Sequence, residues 1–228
     1  MVQSRRQSAV PLHVVSAPDL EQLDDAELAR GLANRAGWAQ GVAWNRYAPL
    51  VFRLAHRTLG SIEAAEDLTQ DVFFRLFLRA PTIEKHSALR SFIVSITCRL
   101  LKWELRRRRV RRWVMLSPTG EPPDAIAPTT DPAVRIRLRR FYSILEKLSE
   151  QERTLFVLRH VERFTLEEVA ESTGQSLATV KRHLAKIATR FSGLVANDPE
   201  LRSLTGPGGL LAESRGSLTE SDGGSDGH

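Results

Sequence analysis

Residues 164–191 read FTLEEVAESTGQSLATVKRHLAKIATRF and carry the clearest structural signal in the chain. Thr165 and Glu168 form a predicted capping box, in which each side chain accepts a hydrogen bond from the backbone N–H of the other, so a helix begins directly after Thr165. Gly174 fits the turn that follows, because glycine adopts a left-handed backbone without a Cβ clash. Ser176 is then a good N-cap for a second helix.

The spacing of Ala170, Gly174 and Val180 in this stretch is that of a helix-turn-helix. A small residue lets the two helices approach, glycine bends the chain, and a branched apolar residue locks the second helix onto the first. The predicted core face of the second helix consists of Leu177, Val180, Leu184, Ile187 and Phe191. The opposite face presents donors suited to phosphates and base edges in a major groove, namely Thr179, Arg182, His183, Lys186 and Arg190. We therefore predict DNA binding, and the alternative is a small helical bundle with a basic face.

Further helices are predicted upstream of this motif. Residues 134–147 form a basic amphipathic pattern, and Ser149 is a good N-cap for the helix after it. With the helix-turn-helix, these elements make up a predicted helical domain over 134–194. A second predicted helical domain, 22–114, contains helices that begin near Ala26 and that run over 41–59, 62–78 and 89–114.

The predicted helix 62–78 separates an apolar stripe from an acidic face. Its apolar residues recur at helical spacing and are expected to be buried. From periodicity alone, the other face is interpreted as a solvated surface. That face carries Asp67, Gln70 and Asp71.

The helix 89–114 ends in a dense basic run. Residues 102–113 read KWELRRRRVRRW, and consecutive arginines cover every side of a helix because successive residues are about 100° apart. Glu104 is nearly alone as a balancing carboxylate, so phosphate is the expected partner of these guanidinium groups. We predict nucleic-acid binding here, with a solubilising charge run or an acidic protein partner as alternatives. Trp103 is expected to pack in the core, and the alternative is that it stacks on bases together with Trp113.

The segments outside the two helical domains lack apolar periodicity. Residues 1–21 are predicted to be a flexible arm, 115–133 a Pro-rich flexible linker, and 195–228 a disordered acidic tail rich in Gly and Ser. The tail after Gly193 holds six acidic and two basic residues, so the rest of the chain is more basic than the net charge of +6 indicates. The predicted fold is therefore all-α, with two helical domains joined by a flexible linker.

Composition and motifs exclude several classes of function. Cys98 is the only cysteine, so no intramolecular disulfide forms and a reducing, cytoplasmic location is expected. No apolar run approaches the length of a membrane span, so no membrane insertion is expected. The sequence contains no histidine pattern for metal, no glycine-rich phosphate loop and no nucleophile elbow. We predict a protein that is not an enzyme and that needs no metal or cofactor.

Taken together, these motifs resemble the extracytoplasmic-function (ECF) group of RNA polymerase sigma factors, in the sigma-70 family. The resemblance covers about 25–192. It rests on AEDLTQDVF at 65–73, SFIVSITCRLLKWELRRRR at 91–109 and LSEQERTLFVLRHVERFTLEEVAESTGQSLATVKRHL at 148–184. It implies that the domain 22–114 corresponds to sigma region 2 and the domain 134–194 to sigma region 4.

The resemblance also implies a role for each surface. Core polymerase would be bound through its β′ clamp helices by Asp67, Gln70 and Asp71. The −10 promoter element would be read and melted with the help of Arg99, Lys102, Arg106, Arg107, Arg108 and Arg109. The −35 element would be read by Ser176, Thr179, Lys181, Arg182, His183 and Lys186.

The partners expected from this resemblance are core RNA polymerase, including its β flap, promoter DNA and an anti-sigma factor. The function implied is promoter-specific initiation of transcription. Two alternatives remain open at this point. The first is a stand-alone helix-turn-helix regulator that binds duplex DNA without polymerase, and the second is an adaptor whose earlier domain binds only protein.

Overall fold

The computed structural model of the 228-residue chain describes residues 23–83, 88–114 and 132–196, together with Asp198 and Leu201. Within these ranges the backbone forms helices and turns and no strand, so the prediction of an all-α fold is confirmed there. The predicted N-terminal arm, residues 115–131 of the predicted linker and most of the predicted tail lie outside the described residues.

The described ranges contain eight α-helices. They are α1 (Asp25–Ala33), α2 (Gly37–Leu59), α3 (Ile62–Arg79), α4 (Leu89–Val114), α5 (Pro132–Leu145), α6 (Glu150–Phe156), α7 (Leu166–Thr173) and α8 (Leu177–Ala196). A 3₁₀ turn at Ala80–Thr82 follows α3, and a π-helical turn at Val157–Val161 continues α6. Two helices begin earlier than predicted, since α2 starts at Gly37 rather than 41 and α5 at Pro132 rather than 134.

The caps that the sequence predicts are present. Thr165 and Glu168 exchange both hydrogen bonds of the capping box ahead of α7, at 3.1 Å and 2.8 Å. Ser149 makes the same motif with Glu152 ahead of α6. Gly174 ends α7 in the left-handed region at φ 67°, where a side chain would be strained. The helix boundaries around the turn therefore follow directly from local sequence.

Helices α1–α4 form the first block, which has its own apolar core. Val72 and Phe73 from α3 are buried against residues of α2 and α4, including Val51 and Ile93. The spacing of the apolar residues on α3 is what aims them at this core. As a result, the polar face of α3 is left at the surface.

Helices α5–α8 form the second block, whose core is aromatic. Phe156 on α6 stacks on Phe191 of α8 with ring centroids 4.5 Å apart, and Phe141 of α5 packs against both rings. The prediction for the core face of α8 is wrong at Leu177, which lies in the first turn of the helix and is 37% exposed. The other four are buried.

Two residues of the predicted tail beyond α8, Asp198 and Leu201, belong to the part of the chain that the structure describes. Asp198 accepts a hydrogen bond from Arg140 of α5 at 3.0 Å. Leu201 is 2% exposed and belongs to the core of the second block. The buried leucine side chain and the ion pair together hold this part of the chain against the second block.

The two blocks pack directly against each other. Helix α4 of the first block contacts α6 and α7 of the second, and α2 contacts the π-helical turn that follows α6. This packing joins residues far apart in the sequence, and the prediction of two domains on a flexible linker does not include it.

Candidate nucleic-acid and partner interfaces

The acidic face of α3 borders a groove between α3 and α4. Asp67, Gln70 and Asp71 are all exposed, and they line a space of about 340 Å³ with Trp103 and Arg107 of α4 on the opposite side. The three residues predicted to bind polymerase therefore lie together, on a surface that a partner can reach. The α3–α4 groove also brings in α4 residues that the sequence pattern did not assign to this surface.

Trp103 is the residue of this groove that the sequence placed wrongly. It was expected in the core, but 57% of it is exposed. The guanidinium carbon of Arg107 lies 5.1 Å from the centre of the Trp103 ring, a cation–π distance. The ring is not buried because the residues of α4 that face the core of the first block are Leu100, Leu101 and Leu105.

The basic run of α4 is balanced more fully than its sequence indicates. Glu104 accepts hydrogen bonds from Arg107 at 2.8 Å and from Arg108 at 2.9 Å. Arg108 also donates to the carbonyl of Leu59 at the end of α2, at 3.1 Å. The single carboxylate that the sequence places in this run therefore pairs with two of its arginines.

Glu104 is strongly held as the carboxylate. Its burial alone would raise its pKa, but the hydrogen bonds and positive charges of Arg107 and Arg108 outweigh burial, so the pKa of Glu104 is lowered. The side chain therefore works as a fixed anion that orders two guanidinium groups on one side of α4.

The remaining predicted −10 residues differ in their surroundings. Arg109 pairs with Glu150 of α6 at 2.9 Å. Arg99 is exposed and donates to Ser95 one turn earlier at 3.2 Å. Lys102 is half-buried and Arg106 is exposed. Arg106 and Arg99 are thus the arginines of this set that are most open to an incoming phosphate.

The start of α8 displays the predicted −35 residues. Ser176 caps the helix by accepting from the Thr179 N–H at 3.2 Å, and its hydroxyl lies 2.8 Å from the Thr179 hydroxyl. Arg182 and Lys186 are exposed, with Arg182 reaching back to the Thr179 hydroxyl at 3.4 Å. Lys181, like Thr179, is half-buried. This end of the helix is free to enter a groove of DNA.

Other residues on the same side of α8 are held by the second block. His183 lies 3.5 Å from the Gln151 amide nitrogen. Arg190 pairs with Glu152 at 2.8 Å and donates to the Lys147 carbonyl at 2.8 Å. Arg190 is therefore tied to the second block by its hydrogen bonds, whereas the exposed cations Arg182 and Lys186 lie in the first three turns of α8.

Two other kinds of site are absent from the described residues. None of the helices there is long and apolar enough to cross a membrane. No group of His, Cys, Asp and Glu side chains in those ranges is arranged to hold a metal ion.

The fold and these surfaces define an all-α helix-turn-helix protein with a second helical block. Two family models match the chain in order: Sigma-70 region 2 over residues 43–111 and Sigma-70 region 4 over 138–190. The chain belongs to the ECF group of the sigma-70 family of RNA polymerase sigma factors.

Curated relatives of the chain are also named as sigma factors. The “Probable ECF RNA polymerase sigma factor SigI” of Mycobacterium tuberculosis is 31% identical over 157 residues, which are 65% of this chain and 52% of SigI. The “RNA polymerase sigma-E factor” of Streptomyces coelicolor is 30% identical over 157 residues, 68% of this chain and 85% of that protein. The “Ferric citrate uptake sigma factor FecI” of Escherichia coli is 28% identical over 134 residues, 57% of this chain and 75% of FecI. The chain thus spans about half the length of SigI and most of the other two.

Two solved structures share the fold. CnrH, in complex with the cytosolic domain of CnrY, matches with a TM-score of 0.55 at 21% identity, over 76% of this chain and 98% of CnrH. The sigma factor RpoE, in complex with the anti-sigma factor NepR from Bartonella quintana, matches with a TM-score of 0.51 at 22% identity, over 68% of this chain and 95% of the other. The helical arrangement is therefore one that sigma factors adopt.

Proposed function

We propose that this protein is a sigma factor that binds core RNA polymerase and directs it to promoters with matching −35 and −10 elements. The observation that carries the proposal is the presence of two sigma-70 regions on one chain, in the order 2 then 4. A stand-alone regulator needs only the helix-turn-helix of α7 and α8. It leaves the acidic face of α3 and the basic run of α4 without a role.

The docking surface for polymerase in this proposal is the α3–α4 groove. Asp67 and Asp71 supply negative charge at its rim, and Gln70 adds an amide that donates and accepts hydrogen bonds. Such a surface fits a basic helical partner, for which the β′ clamp helices are our candidate. Within the same proposal, the domain 134–194 contacts the β flap.

Two DNA-binding surfaces follow from the same proposal. The exposed donors at the start of α8, led by Arg182 and Lys186, read the −35 element in the major groove. The basic end of α4, with Arg99 and Arg106 as its most open arginines, contacts the −10 region and captures unstacked bases. Because polymerase holds both surfaces at a fixed separation, promoter spacing acts as a geometric filter. The energy for strand opening comes from binding the open strand, so the protein itself catalyses no reaction.

We further propose that an anti-sigma factor controls this protein in the cytoplasm. The support is that both CnrH and RpoE were solved with a second protein, CnrY and the anti-sigma factor NepR respectively. These two structures do not specify the chemistry of the anti-sigma factor that would bind this chain. Co-purification from cells that express the tagged chain is the direct test of the proposal.

The experiment that tests the main proposal is capture of core polymerase, followed by transcription from a promoter library. Wild-type protein should capture core enzyme and give promoter-specific transcripts. Asp67→Lys with Asp71→Lys should abolish capture and leave the helical circular dichroism unchanged, because like charges placed against a basic partner cost several kcal/mol. The matched control is Arg75→Glu with Arg79→Glu, two charge reversals on exposed positions of the same helix outside the groove.

Two outcomes would contradict the proposal. Capture of polymerase at wild-type yield by the Asp67/Asp71 variant would show that the α3–α4 groove is not the docking surface. Tight and sequence-specific binding of the free protein to a palindromic duplex, without capture of polymerase, would favour the stand-alone regulator instead.

A further inference from the structure

Helix α5 carries four arginines and no acidic residue. Its sequence is PAVRIRLRRFYSIL. The second half of the helix is anchored in the second block, where Tyr142, Ile144 and Leu145 are buried. The first half is largely open to solvent, and its exposed residues are Ala133, Arg135, Ile136, Arg137, Arg139 and Arg140. Half of α5 therefore forms a basic surface on the outside of the second block.

The arginines of this surface have few counter-charges. In α4, by contrast, Glu104 alone orders two arginines. In α5, Arg140 pairs with Asp198 at 3.0 Å. No ion pair to the other three arginines of α5 occurs within the described ranges of the chain. Like charges one turn apart destabilise a helix, and so do cations near its N-terminus, so an external anion would stabilise this half of α5.

The arginines lie on both sides of one exposed apolar residue. Ile136 is 49% exposed. Because successive residues of a helix are about 100° apart, Arg135 and Arg139 lie on one side of Ile136. Arg137 and Arg140 lie on the other side. The partner of this surface must therefore present anions along two separate lines.

The major groove of duplex DNA meets this requirement. An α-helix with its side chains is about 10–12 Å across, and the major groove is about 12 Å wide. A helix in the groove has a phosphate strand on each side, and guanidinium groups are well suited to phosphate. A single strand of nucleic acid supplies only one such line. Ile136 would face the floor of the groove, where it has no hydrogen-bonding group with which to read a base.

This surface lies away from the DNA-reading end of α8. Phe141 of α5 packs on Phe191 in the later part of α8, and Arg140 reaches Asp198 beyond the end of that helix. Arg182 lies roughly 13 Å before Phe191 along the helix axis, at about 1.5 Å per residue. A duplex that lies on α5 is therefore a different segment of DNA from the base pairs next to Arg182.

From this geometry we infer that the first half of α5 is a separate DNA-binding surface, which holds duplex DNA through its phosphates without regard to base sequence. Arg135 and Arg139 contact one strand, and Arg137 contacts the other. The inference goes beyond the proposed function, which assigns DNA only to α4 and α8. The α5 surface strengthens binding to every duplex to a similar extent and leaves the choice of promoter to the other two surfaces.

Salt dependence of DNA binding by the full chain tests the inference. Arg135→Gln with Arg139→Gln removes two charges and keeps good helix formers. For a labelled random-sequence duplex of about 20 base pairs, the slope of log K against log[NaCl] should fall by about 0.9 per lost phosphate contact, or about 1.8 in all. Binding at about 100 mM NaCl should weaken roughly tenfold. Fluorescence anisotropy measures both quantities, and circular dichroism checks that helicity is unchanged.

The matched control is Arg75→Gln with Arg79→Gln. It removes the same charge at the same spacing from exposed positions of α3, so it reproduces the change in net charge without touching α5. Its slope should stay within about 0.5 of wild type. Adding Arg137→Gln to the α5 double variant should lower the slope by about one further unit, because that side chain faces the second strand.

A photocrosslinker at position 136 tests the location directly. Ile136→Cys is labelled with benzophenone maleimide, and the native Cys98 is spared because it is 3% exposed. Irradiation with the random-sequence duplex should crosslink the chain to DNA. Phe74→Cys, at a 65% exposed position of α3, is the matched control and should give little crosslinking.

Three results would overturn the inference. The first is an equal loss of slope in the α5 and α3 double variants, and the second is crosslinking from position 136 no stronger than from position 74. The third is a loss of binding that is confined to single-stranded RNA of the same length, which would assign α5 to RNA instead. These measurements use neither polymerase nor a promoter, so a failure of the proposed function would leave them unaffected.

Discussion

Glu104 offers a sharp test of how the basic end of α4 is organised. Glu104→Gln keeps the shape of the side chain and removes its charge. Two charge-assisted hydrogen bonds, at 2.8 and 2.9 Å, end on a carboxylate whose side chain is 12% exposed. Removing one partner of a fully buried pair costs about 3–5 kcal/mol, and losing an exposed pair costs at most about 1 kcal/mol.

The free-energy cost of Glu104→Gln should lie between these two limits. The Arg107 and Arg108 side chains are 47% and 27% exposed, so both can recover water, and the glutamine oxygen can still accept one hydrogen bond. We therefore expect a loss of about 1.5 kcal/mol in the free energy of unfolding at pH 7. For a chain of this size, that lowers the unfolding midpoint by about 3–6 °C.

The same substitution should change the pH dependence of stability. Because the pKa of Glu104 is lowered by folding, its contribution is fully present above the unfolded pKa of about 4.3. It is lost as the pH falls through the folded pKa, where the wild-type side chain also becomes neutral. The difference between wild type and Glu104→Gln should therefore be largest at pH 7 and shrink as the pH drops below about 4.

Thermal unfolding followed by circular dichroism, from about pH 3 to pH 7, measures this difference. The matched control is Glu66→Gln, which neutralises an exposed carboxylate on α3 and should shift the midpoint by less than about 1 °C. A gap between wild type and Glu104→Gln that stays constant down to the lowest pH would refute the reasoning. So would the absence of any gap at pH 7.

Three further predictions concern the second block. Arg182→Ala should remove about 1–3 kcal/mol of discrimination at one −35 position, seen as flattened differences across a panel of −35 promoter variants in transcription with core polymerase. Equal weakening of every promoter would instead assign Arg182 to phosphate contact. Gly174→Ala should cost about 1–2 kcal/mol, because φ is 67° there, and thermal unfolding measures it; an unchanged midpoint would contradict the left-handed turn. Leu201→Ala should lower the free energy of unfolding by about 2 kcal/mol in denaturant unfolding. Deletion of 202–228 should leave stability and transcription unchanged, and a loss of transcription would place a function in the deleted segment.

Local sequence was sufficient for most of the secondary structure. The capping boxes at Thr165 and Ser149 and the left-handed turn at Gly174 act over three or four residues, so their chemistry can be read without knowing the rest of the fold. Apolar periodicity likewise predicted which face of α3 is exposed. The positions of Asp67 and Arg182 at accessible surfaces were therefore predictable, whereas their binding roles stay predictions.

Other features depend on residues that meet only when the chain folds. The packing of α4 against α3 decides whether Trp103 is buried. Apolar residues occur on several sides of α4, so the sequence pattern alone does not show which of them face the core. Arg90 and Glu168 are 78 positions apart, and the pairing of Arg109 with Glu150 likewise crosses from one block to the other. A charge run looks unbalanced in the sequence because its counter-charges lie on another helix. Only tertiary packing, by bringing these helices together, determines which arginines remain open to DNA.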